Sequence, residues 1–250
     1  MKIMNSEIIL EARDVTKNFG GLCAINNVNI SLSRGEILGL IGPNGAGKTT
    51  FFNVIAGMYK PSSGRILFKG EDIAGLPPYR ICWKGIARTF QQPQPFSGLT
   101  VYENILTGQL FGGAKRGFNK SIKEILDLIE LRDKHDWMVE NLTAQEQKKV
   151  EIGKALACIP EILLLDEVAA GLTSKEQESI KKLVLDVKER LGITIIMIEH
   201  IMETIMNLSD RILVLNNGSV LKIGTPNEVA SDGAVIEAYL GKEFVKHVRS

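Results

Sequence analysis

A glycine-rich segment that follows an apolar run constrains this sequence more than any other feature. Residues 42–49 read Gly-Pro-Asn-Gly-Ala-Gly-Lys-Thr and match the pattern Gly-x-x-x-x-Gly-Lys-Ser/Thr in full. The apolar run Glu36–Ile41 before it predicts a buried strand, and a helical pattern comes after it. A strand, a tight loop and a helix in this order predict backbone N–H groups that point at phosphate oxygens. We therefore expect an α/β fold with a nucleotide-phosphate site, and a plain glycine-rich turn is the disfavoured alternative.

Two more apolar runs predict further strands of the same sheet. Ile162–Leu165 and Ile193–Ile198 are short, continuous and rich in branched residues. Between them, Ser174 and Gln177 form a capping-box pattern that predicts the start of a helix, and Gly192 predicts its end. A strand, a helix and a strand in succession indicate a parallel sheet.

The remaining patterns are a hairpin and a helical stretch. Residues 211–215 and 219–223 predict two strands joined by an Asn-Asn-Gly turn. Residues from about 84 to 158 have mainly helical periodicity and predict a helical lobe inserted into the α/β core. Within that lobe, residues 112–117 predict a surface loop.

Polar residues stand where the predicted strands end or where the helical lobe begins. Asp166 and Glu167 follow a strand, the place where a P-loop nucleotidase carries a Mg²⁺-directed carboxylate and a group that polarises the attacking water. His200 could sense the γ-phosphate, Gln91 could reach the metal and the water, and Phe19 could stack on adenine. The structural alternatives are an acidic turn, a structural histidine, a surface amide and a core phenylalanine.

Composition excludes several classes of function. The 30 Lys and Arg residues nearly balance the 29 Asp and Glu residues, so no basic excess indicates a nucleic-acid partner. The apolar runs are too short to span a bilayer, and the first residues contain no apolar signal stretch. Cys23, Cys82 and Cys158 lack metal-ligand spacing and are interpreted as reduced thiols of a cytosolic protein.

The order of these motifs resembles that of ATP-binding cassette (ABC) transporter ATPases over nearly the whole chain. The stretches 88–91, 99–104, 166–172 and 236–241 further resemble the ATP-binding subunit of branched-chain amino-acid uptake transporters. The resemblance implies one cassette domain over residues 1–250. Its core would be a RecA-like P-loop nucleotidase with a mostly parallel sheet, joined by an antiparallel β N-terminal part and the helical lobe.

The resemblance also implies partners and a location. Two cassettes would form a head-to-tail hetero- or homodimer that sandwiches each ATP between the P-loop of one and a signature loop of the other. ATP hydrolysis with Mg²⁺ would drive integral membrane permease subunits, with a substrate-binding protein as an indirect partner and no nucleic acid. The chain would lie peripherally on the cytoplasmic face of the cell membrane.

Site residues follow from the resemblance position by position. Phe19 would stack on adenine, Gln91 would couple the metal site to the membrane partner, and Asp166 would support Mg²⁺. Glu167 would be the catalytic base and His200 the γ-phosphate sensor. The implied nucleotide-binding residues are Gly42, Pro43, Asn44, Gly45, Ala46, Gly47, Lys48, Thr49 and Thr50, of which Thr49 also offers a hydroxyl to Mg²⁺.

The signature segment, residues 142–147, departs from the family, which carries Leu-Ser-Gly-Gly-Gln or Leu-Ser-Tyr-Gly-Gln. Here the sequence is Leu142, Thr143, Ala144, Gln145, Glu146 and Gln147. Gln145 replaces a glycine that allows close approach to phosphate, and the Glu146 carboxylate is repelled by a triphosphate. Val168 and Thr173 also replace the usual proline and Asp or Asn. We therefore hypothesise asymmetric sites, in which this chain's own P-loop site is active and the site completed by its signature segment is weak.

Three other interpretations remain open. A lipid or lipopolysaccharide export cassette is similar to this group, although residues 88–92 argue against it. A regulatory subunit with weak turnover agrees with the signature segment but not with the intact Glu167 and His200. A soluble ATP switch acting on DNA or ribosomes usually carries a second cassette or basic extensions.

Overall fold

The computed structural model describes residues 7–112 and 121–240, and these residues form two β-sheets with helices around them. The predicted surface loop at 112–117 lies outside the described residues except for its first glycine, as does Gly241. The antiparallel sheet has the order β2-β1-β4-β5. Its strands are β1 (Ile8–Phe19), β2 (Leu22–Ser33), β4 (Ser63–Phe68) and β5 (Glu71–Asp72).

The second sheet has six strands in the order β10-β9-β3-β8-β7-β6, and only β10 runs antiparallel to its neighbour. These strands are β3 (Ile37–Ile41), β6 (Ile86–Arg88), β7 (Ile162–Asp166), β8 (Thr194–Ile198), β9 (Arg211–Asn216) and β10 (Ser219–Gly224). The strands and the hairpin predicted from the apolar runs are confirmed. Every residue of β3, β7 and β8 is buried, which explains why these runs are continuously apolar rather than alternating.

The helices pack on this sheet and enclose two hydrophobic clusters. They are α1 (Lys48–Ile55), α2 (Pro78–Lys84), α3 (Val101–Phe111), α4 (Ile122–Leu128), α5 (Ala144–Ala157), α6 (Ser174–Leu191), α7 (Met202–Leu208), α8 (Pro226–Ala230) and α9 (Gly233–Leu240). Leu163 and Leu165 of β7 belong to the cluster with α3 to α6. Ile162 and Leu164 belong to the other cluster, with α1 and the antiparallel sheet. Alternate residues of one strand therefore join two different cores.

Two predicted boundaries are wrong. Residues 86–88 form β6, which pairs in parallel with β7, so the helical lobe begins later than residue 84 and its first helix starts at Val101. A three-residue strand is too short for periodicity to reveal. The capping box of α6 is formed by Thr173 and Glu176, one residue before the predicted pair, and the Gln177 amide instead donates to the Leu172 carbonyl at 2.9 Å.

The carboxyl ends of β3, β7 and β8 meet at one edge of the parallel sheet. Leu40 of β3 pairs with Ile198 of β8, and Ile198 pairs with Asp166 of β7. The segments that follow these strands carry the glycine-rich loop, Glu167 and His200, so the topology brings them together. Within the described part of the chain, no helix has both the length and the apolar character needed to cross a membrane.

Candidate active site

The glycine-rich loop connects β3 to α1, and at two of its positions the backbone adopts a conformation that requires glycine. Gly42 has φ of 152° and Gly47, the N-cap of α1, has φ of 99°. A Cβ atom would lie 2.2 Å from the Leu215 carbonyl oxygen at position 42 and 2.5 Å from the Ala24 carbonyl oxygen at position 47. Both backbone conformation and lack of space therefore require glycine, and the loop is closely packed against β2 and β9.

Lys48 opens α1 and is buried against the loop that precedes it. Its Nζ donates hydrogen bonds to the carbonyl oxygens of Gly42 at 2.7 Å and of Pro43 at 3.0 Å. Burial lowers the pKa of Lys48, and the Glu167 carboxylate acts in the opposite direction. The loop therefore holds an ammonium group next to the backbone N–H groups at the start of a helix, an arrangement that attracts phosphate.

A cleft of about 700 Å³ lies over this loop, and we call it the nucleotide cleft. Its size is in the usual range for small-molecule sites, about 300–1,000 Å³. The residues predicted for the site that line it are Phe19, Asn44, Gly45, Ala46, Gly47, Lys48, Thr49, Thr50, Gln91, Glu167 and His200. Gly42, Pro43 and Asp166 are not among the residues that line it. The other lining residues, which no sequence pattern indicated, come from the start of β2 and from the turn between β9 and β10: Leu22, Cys23, Ala24, Asn217 and Gly218.

Glu167 is the point where three separate segments meet. The Gln91 Nε2 atom donates to one carboxylate oxygen at 2.8 Å, and His200 Nε2 lies 2.7 Å from the other. The Glu167 side chain is 14% exposed and that of His200 is 48% exposed, so the carboxylate is shielded and the imidazole faces the cleft. Glu167 has φ of 50°, a left-handed conformation that costs a non-glycine residue about 1–3 kcal/mol. Strain of this kind is common at active sites.

Asp166 lies one residue earlier and is buried. Its carboxylate is 3.3 Å from Arg88 Nη2, and its backbone N–H donates to the Thr89 hydroxyl at 3.2 Å. Burial raises the pKa of Asp166, and the Arg88 guanidinium acts against that rise. Arg88 also donates to the Asn53 side chain at 2.6 Å, so it joins α1 to the end of β7. Sequence analysis used Arg88 only as part of a family stretch and missed this role.

Phe19 ends β1 at the rim of the nucleotide cleft. Its ring is 42% exposed, so the alternative of a core phenylalanine is wrong. The Tyr59 ring meets it edge to face at a centroid distance of 5.1 Å, and Lys17 Nζ lies 4.9 Å from its centroid. An exposed aromatic ring held by two neighbours is a suitable platform for a nucleobase.

Comparison of the sequence with known proteins identifies the family. The sequence profile of the ABC transporter family matches residues 25–170. The high-affinity branched-chain amino acid transport ATP-binding protein LivG of Escherichia coli (strain K12) is 40% identical over 253 residues, which cover 95% of this chain and 99% of LivG. This chain belongs to the ABC transporter family.

Solved cassettes share the fold of this cassette. The ATP-binding cassette MJ1267, crystallised in its ADP conformation, matches with a TM-score of 0.85 at 34% identity, covering 95% of this chain and 100% of that chain. The cassette MJ0796, solved as a dimer in a post-hydrolysis state bound to ADP and Pi, matches with a TM-score of 0.75 at 27% identity, covering 87% and 99%. The α/β fold expected from the sequence is therefore confirmed.

The signature segment of this cassette lies at the start of α5, outside the lining of the nucleotide cleft. Thr143 is the N-cap and forms a capping box with Glu146, whose carboxylate also lies 2.6 Å from Lys134 Nζ. Burial alone would raise the pKa of Glu146, but Lys134 and the Thr143 N–H outweigh it and hold the pKa below its usual value. The Gln145 amide donates to the Glu176 carbonyl at 3.2 Å. The segment is therefore charged, and its side chains are bound within the chain.

Proposed function

We propose that this cassette hydrolyses ATP to drive the uptake of branched-chain amino acids or related small molecules through membrane permease subunits. The observation that carries the proposal is the position of Glu167, bound by Gln91 and His200 in the same cleft as Lys48 and Thr49. The substrate class is supported by relatives that cover nearly the whole chain and are named as branched-chain amino acid transport proteins.

The residues predicted for the site have chemical roles in this proposal. Phe19 stacks on adenine, and the residues from Gly42 to Thr50 hold the phosphates through N–H groups and the Lys48 ammonium. Glu167 orients the attacking water and accepts its proton, because its carboxylate is shielded and fixed on both oxygens. His200, half exposed on the cleft side, contacts the γ-phosphate and returns to Glu167 when that phosphate leaves.

The polar groups of the cleft fit a Mg²⁺ ion. Thr49 and Gln91 line the cleft and present a hydroxyl and an amide oxygen, which are hard donors that Mg²⁺ accepts. Asp166, which ends β7 directly before Glu167, would hold a water ligand of the ion. Among the described residues, no cluster of three or more acidic, histidine or cysteine side chains is placed to hold a metal. When bound, Mg²⁺ would neutralise charge on the phosphates.

We propose two kinds of protein partner. The first is a second cassette, because MJ0796, a cassette of the same fold, is solved as a dimer. The second is a permease subunit at the cytoplasmic face of the membrane, with a substrate-binding protein acting through it. An apolar groove of about 610 Å³ beside Gln94, lined by the exposed rings of Tyr79, Trp83, Phe96 and Phe111, is a suitable permease contact. The whole chain acts as one cassette domain with its helical lobe.

The two ATP sites of a dimer would differ in turnover. The site on this chain's P-loop contains Lys48, Thr49, Gln91, Glu167 and His200, the groups proposed for binding and hydrolysis. The opposite site would receive the ionised Glu146 and the bulky Gln145, which repel and block a triphosphate. A regulatory subunit with weak turnover is the second candidate, and these same two residues favour it.

The experiment is reconstitution of the chain with its partner cassette and permeases in lipid vesicles. We expect leucine, isoleucine or valine, supplied with a binding protein, to accumulate only with ATP and to stimulate its hydrolysis. A matched complex with Glu167→Gln should bind ATP but transport nothing. Purification with nucleic acid, or stimulation by lipid instead of amino acids, would overturn the proposal. A single-turnover assay in which two sites react equally fast would exclude asymmetry.

A further inference from the structure

The turn that follows β7, residues 167–170, carries Glu167 in a left-handed conformation and needs support from outside. Within the turn, the Ala170 N–H donates to the Glu167 carbonyl at 3.2 Å, a single weak bond. Two charged residues that the mechanism does not use reach this turn. They are Lys148 of α5 and Glu199, which follows β8.

Lys148 binds the turn through its carbonyl oxygens. Its Nζ donates to the Glu167 carbonyl at 3.1 Å and to the Ala170 carbonyl at 2.7 Å. The residue is only 8% exposed, and burial lowers its pKa. A buried ammonium is costly unless it is hydrogen-bonded, so these two carbonyls help to stabilise its charge, together with the carboxylates of Glu199 and Glu167.

Glu199 binds the same turn through a backbone N–H group. Its Oε1 atom accepts from the Ala169 N–H at 2.8 Å, and the side chain is 3% exposed. Its Oε2 atom is also buried, and no described residue forms a hydrogen bond with it. Burial raises the pKa of Glu199, and the Lys148 charge acts against that rise. The backbone N–H groups of Ala169 and His200 also favour the ionised form of this buried carboxylate.

We propose that Lys148 and Glu199 are positioning residues that clamp the turn 167–170 and thereby fix the Glu167 carboxylate for water activation. The proposal rests on the proposed ATPase function. Lys148 binds the carbonyls of Glu167 and Ala170, and Glu199 binds the N–H of Ala169 between them, so three peptide groups of the turn are bound from two different elements. Glu199 also precedes His200 directly, so the clamp holds both residues that flank the cleft.

The clamp links two parts of the molecule that the sequence separates. Lys148 lies in the second turn of α5, directly after the signature segment. A displacement of that segment by a partner would move the ammonium that holds Glu167 in place. Lys148 therefore lies between the signature segment and the turn that carries Glu167.

The neighbouring lysine offers a matched control. Lys149 is 6% exposed on the same helix, but its Nζ lies 2.6 Å from Glu130 and does not contact the turn. We would compare Lys148→Met, Lys148→Arg and Lys149→Met in the complex with partner cassette and permeases, and we would measure kcat, KM and thermal melting. A misplaced catalytic group loses about 100-fold in rate, so we expect that loss in kcat for Lys148→Met with KM almost unchanged. Lys148→Arg should recover most of it.

Equal losses of kcat in Lys148→Met and Lys149→Met would overturn the proposal, since both would then reflect general packing. So would a loss of ATP affinity in place of kcat. A wild-type complex that hydrolyses no ATP would instead contradict the proposed function. The two failures are therefore distinguishable.

Amide hydrogen exchange tests the clamp without any activity. In the full chain, Glu199→Ala removes the acceptor of the Ala169 N–H, so exchange at that amide should accelerate about tenfold or more, as expected for a lost protecting hydrogen bond. Glu199→Gln keeps an acceptor oxygen and should restore protection. Unchanged exchange at Ala169 in a folded Glu199→Ala protein would overturn the proposal.

Discussion

The glycine-rich loop and the signature segment both lead into the first turn of a helix, yet they treat the helix N-terminus in opposite ways. At α1 the N-cap is Gly47, which makes no side-chain capping bond, so the first N–H groups remain available to a ligand. At α5 the N-cap Thr143 and Glu146 form a capping box that binds two of these groups within the chain. A free helix N-terminus binds phosphate, whereas a capped one stabilises the fold.

The charged residues in the first turns of α1 and α5 also favour phosphate binding at α1 and oppose it at α5. The first turn of α1 contains Lys48 and no acidic residue, whereas that of α5 contains Glu146, held ionised by Lys134. Since an anion at a helix N-terminus cancels the helix dipole, α5 has lost the field that attracts phosphate. Under the proposed function, this chain would therefore hold its own nucleotide better than it would complete a partner's site.

The largest expected effect, on the rate of ATP hydrolysis, comes from replacing Glu167 in the nucleotide cleft. Glu167→Gln keeps the shape of the side chain but not the proton acceptor, so hydrolysis at this site should fall by about 10²–10⁴-fold. The measurement is steady-state ATPase activity of the complex with the partner cassette. If the opposite site is weak, the residual rate should be close to zero. A residual rate near half of wild type would show that the opposite site is fully active and would break the comparison.

Glycine-to-alanine changes in the loop should give the next largest effect. Gly47→Ala places a Cβ atom 2.5 Å from the Ala24 carbonyl oxygen, so the loop must shift and nucleotide affinity should fall about tenfold or more. The measurement is ATP binding by titration calorimetry. Gly45→Ala is the control, because its φ of 79° is also left-handed but no atom lies within 4 Å of its Cβ position. Equal losses in both variants would show that backbone strain, not space, decides the loop's function.

The sequence predicted those parts of the site in which the chemistry is contiguous. The glycine-rich loop and the Asp166-Glu167 pair are short patterns next to continuous apolar strands, so their positions in the fold could be predicted locally. The capping of α6 was ambiguous, because Thr173–Glu176 and Ser174–Gln177 both have capping-box spacing, and only the actual start of the helix selects the first.

The parts that could not be predicted depend on contacts between distant residues. Arg88 reaches Asp166 across 78 positions, and Lys148 reaches the Glu167 carbonyl across 19. The role of β6 depends on its pairing with β7, which three residues cannot signal. Gln145 and Glu146 were identified as departures from the family, but their partners Glu176 and Lys134 are visible only in the fold.

Restoring the signature segment should give a moderate gain. The double change Gln145→Gly with Glu146→Gln removes the side chain and the charge that oppose a triphosphate. An anion at a helix N-terminus contributes about 0.3–1 kcal/mol, so turnover of the partner's site should rise about two- to fivefold. The measurement is single-turnover hydrolysis in a complex whose other site carries Glu167→Gln. A gain from Gln145→Gly alone would assign the defect to sterics, and no gain from either would contradict the comparison.

The smallest effect concerns the stability that the capped segment contributes. Lys134 helps to hold the pKa of Glu146 below its usual value, so this carboxylate stabilises the fold at neutral pH. That contribution is lost as pH falls from the ordinary glutamate range, about 4, through the lowered folded pKa, because the unfolded state then binds the proton more tightly. Lys134→Met should therefore reduce stability at pH 7 by up to about 1 kcal/mol, the range of partly exposed ion pairs. The substitution should also reduce the amount of stability that the protein loses between pH 7 and acidic pH.

Urea unfolding of the full chain at pH 7 and near pH 4 measures both effects. Arg132→Met is the control, because its pair with Asp127 is more exposed on both sides and should change stability less. Combining Lys134→Met with Glu146→Gln gives a double-mutant cycle that isolates the coupling between the two side chains. A coupling of zero would mean that the capping box alone keeps Glu146 ionised. The Thr143 N–H would then be the group that keeps Glu146 ionised, and a substitution at Lys134 would not change the charge of the signature segment.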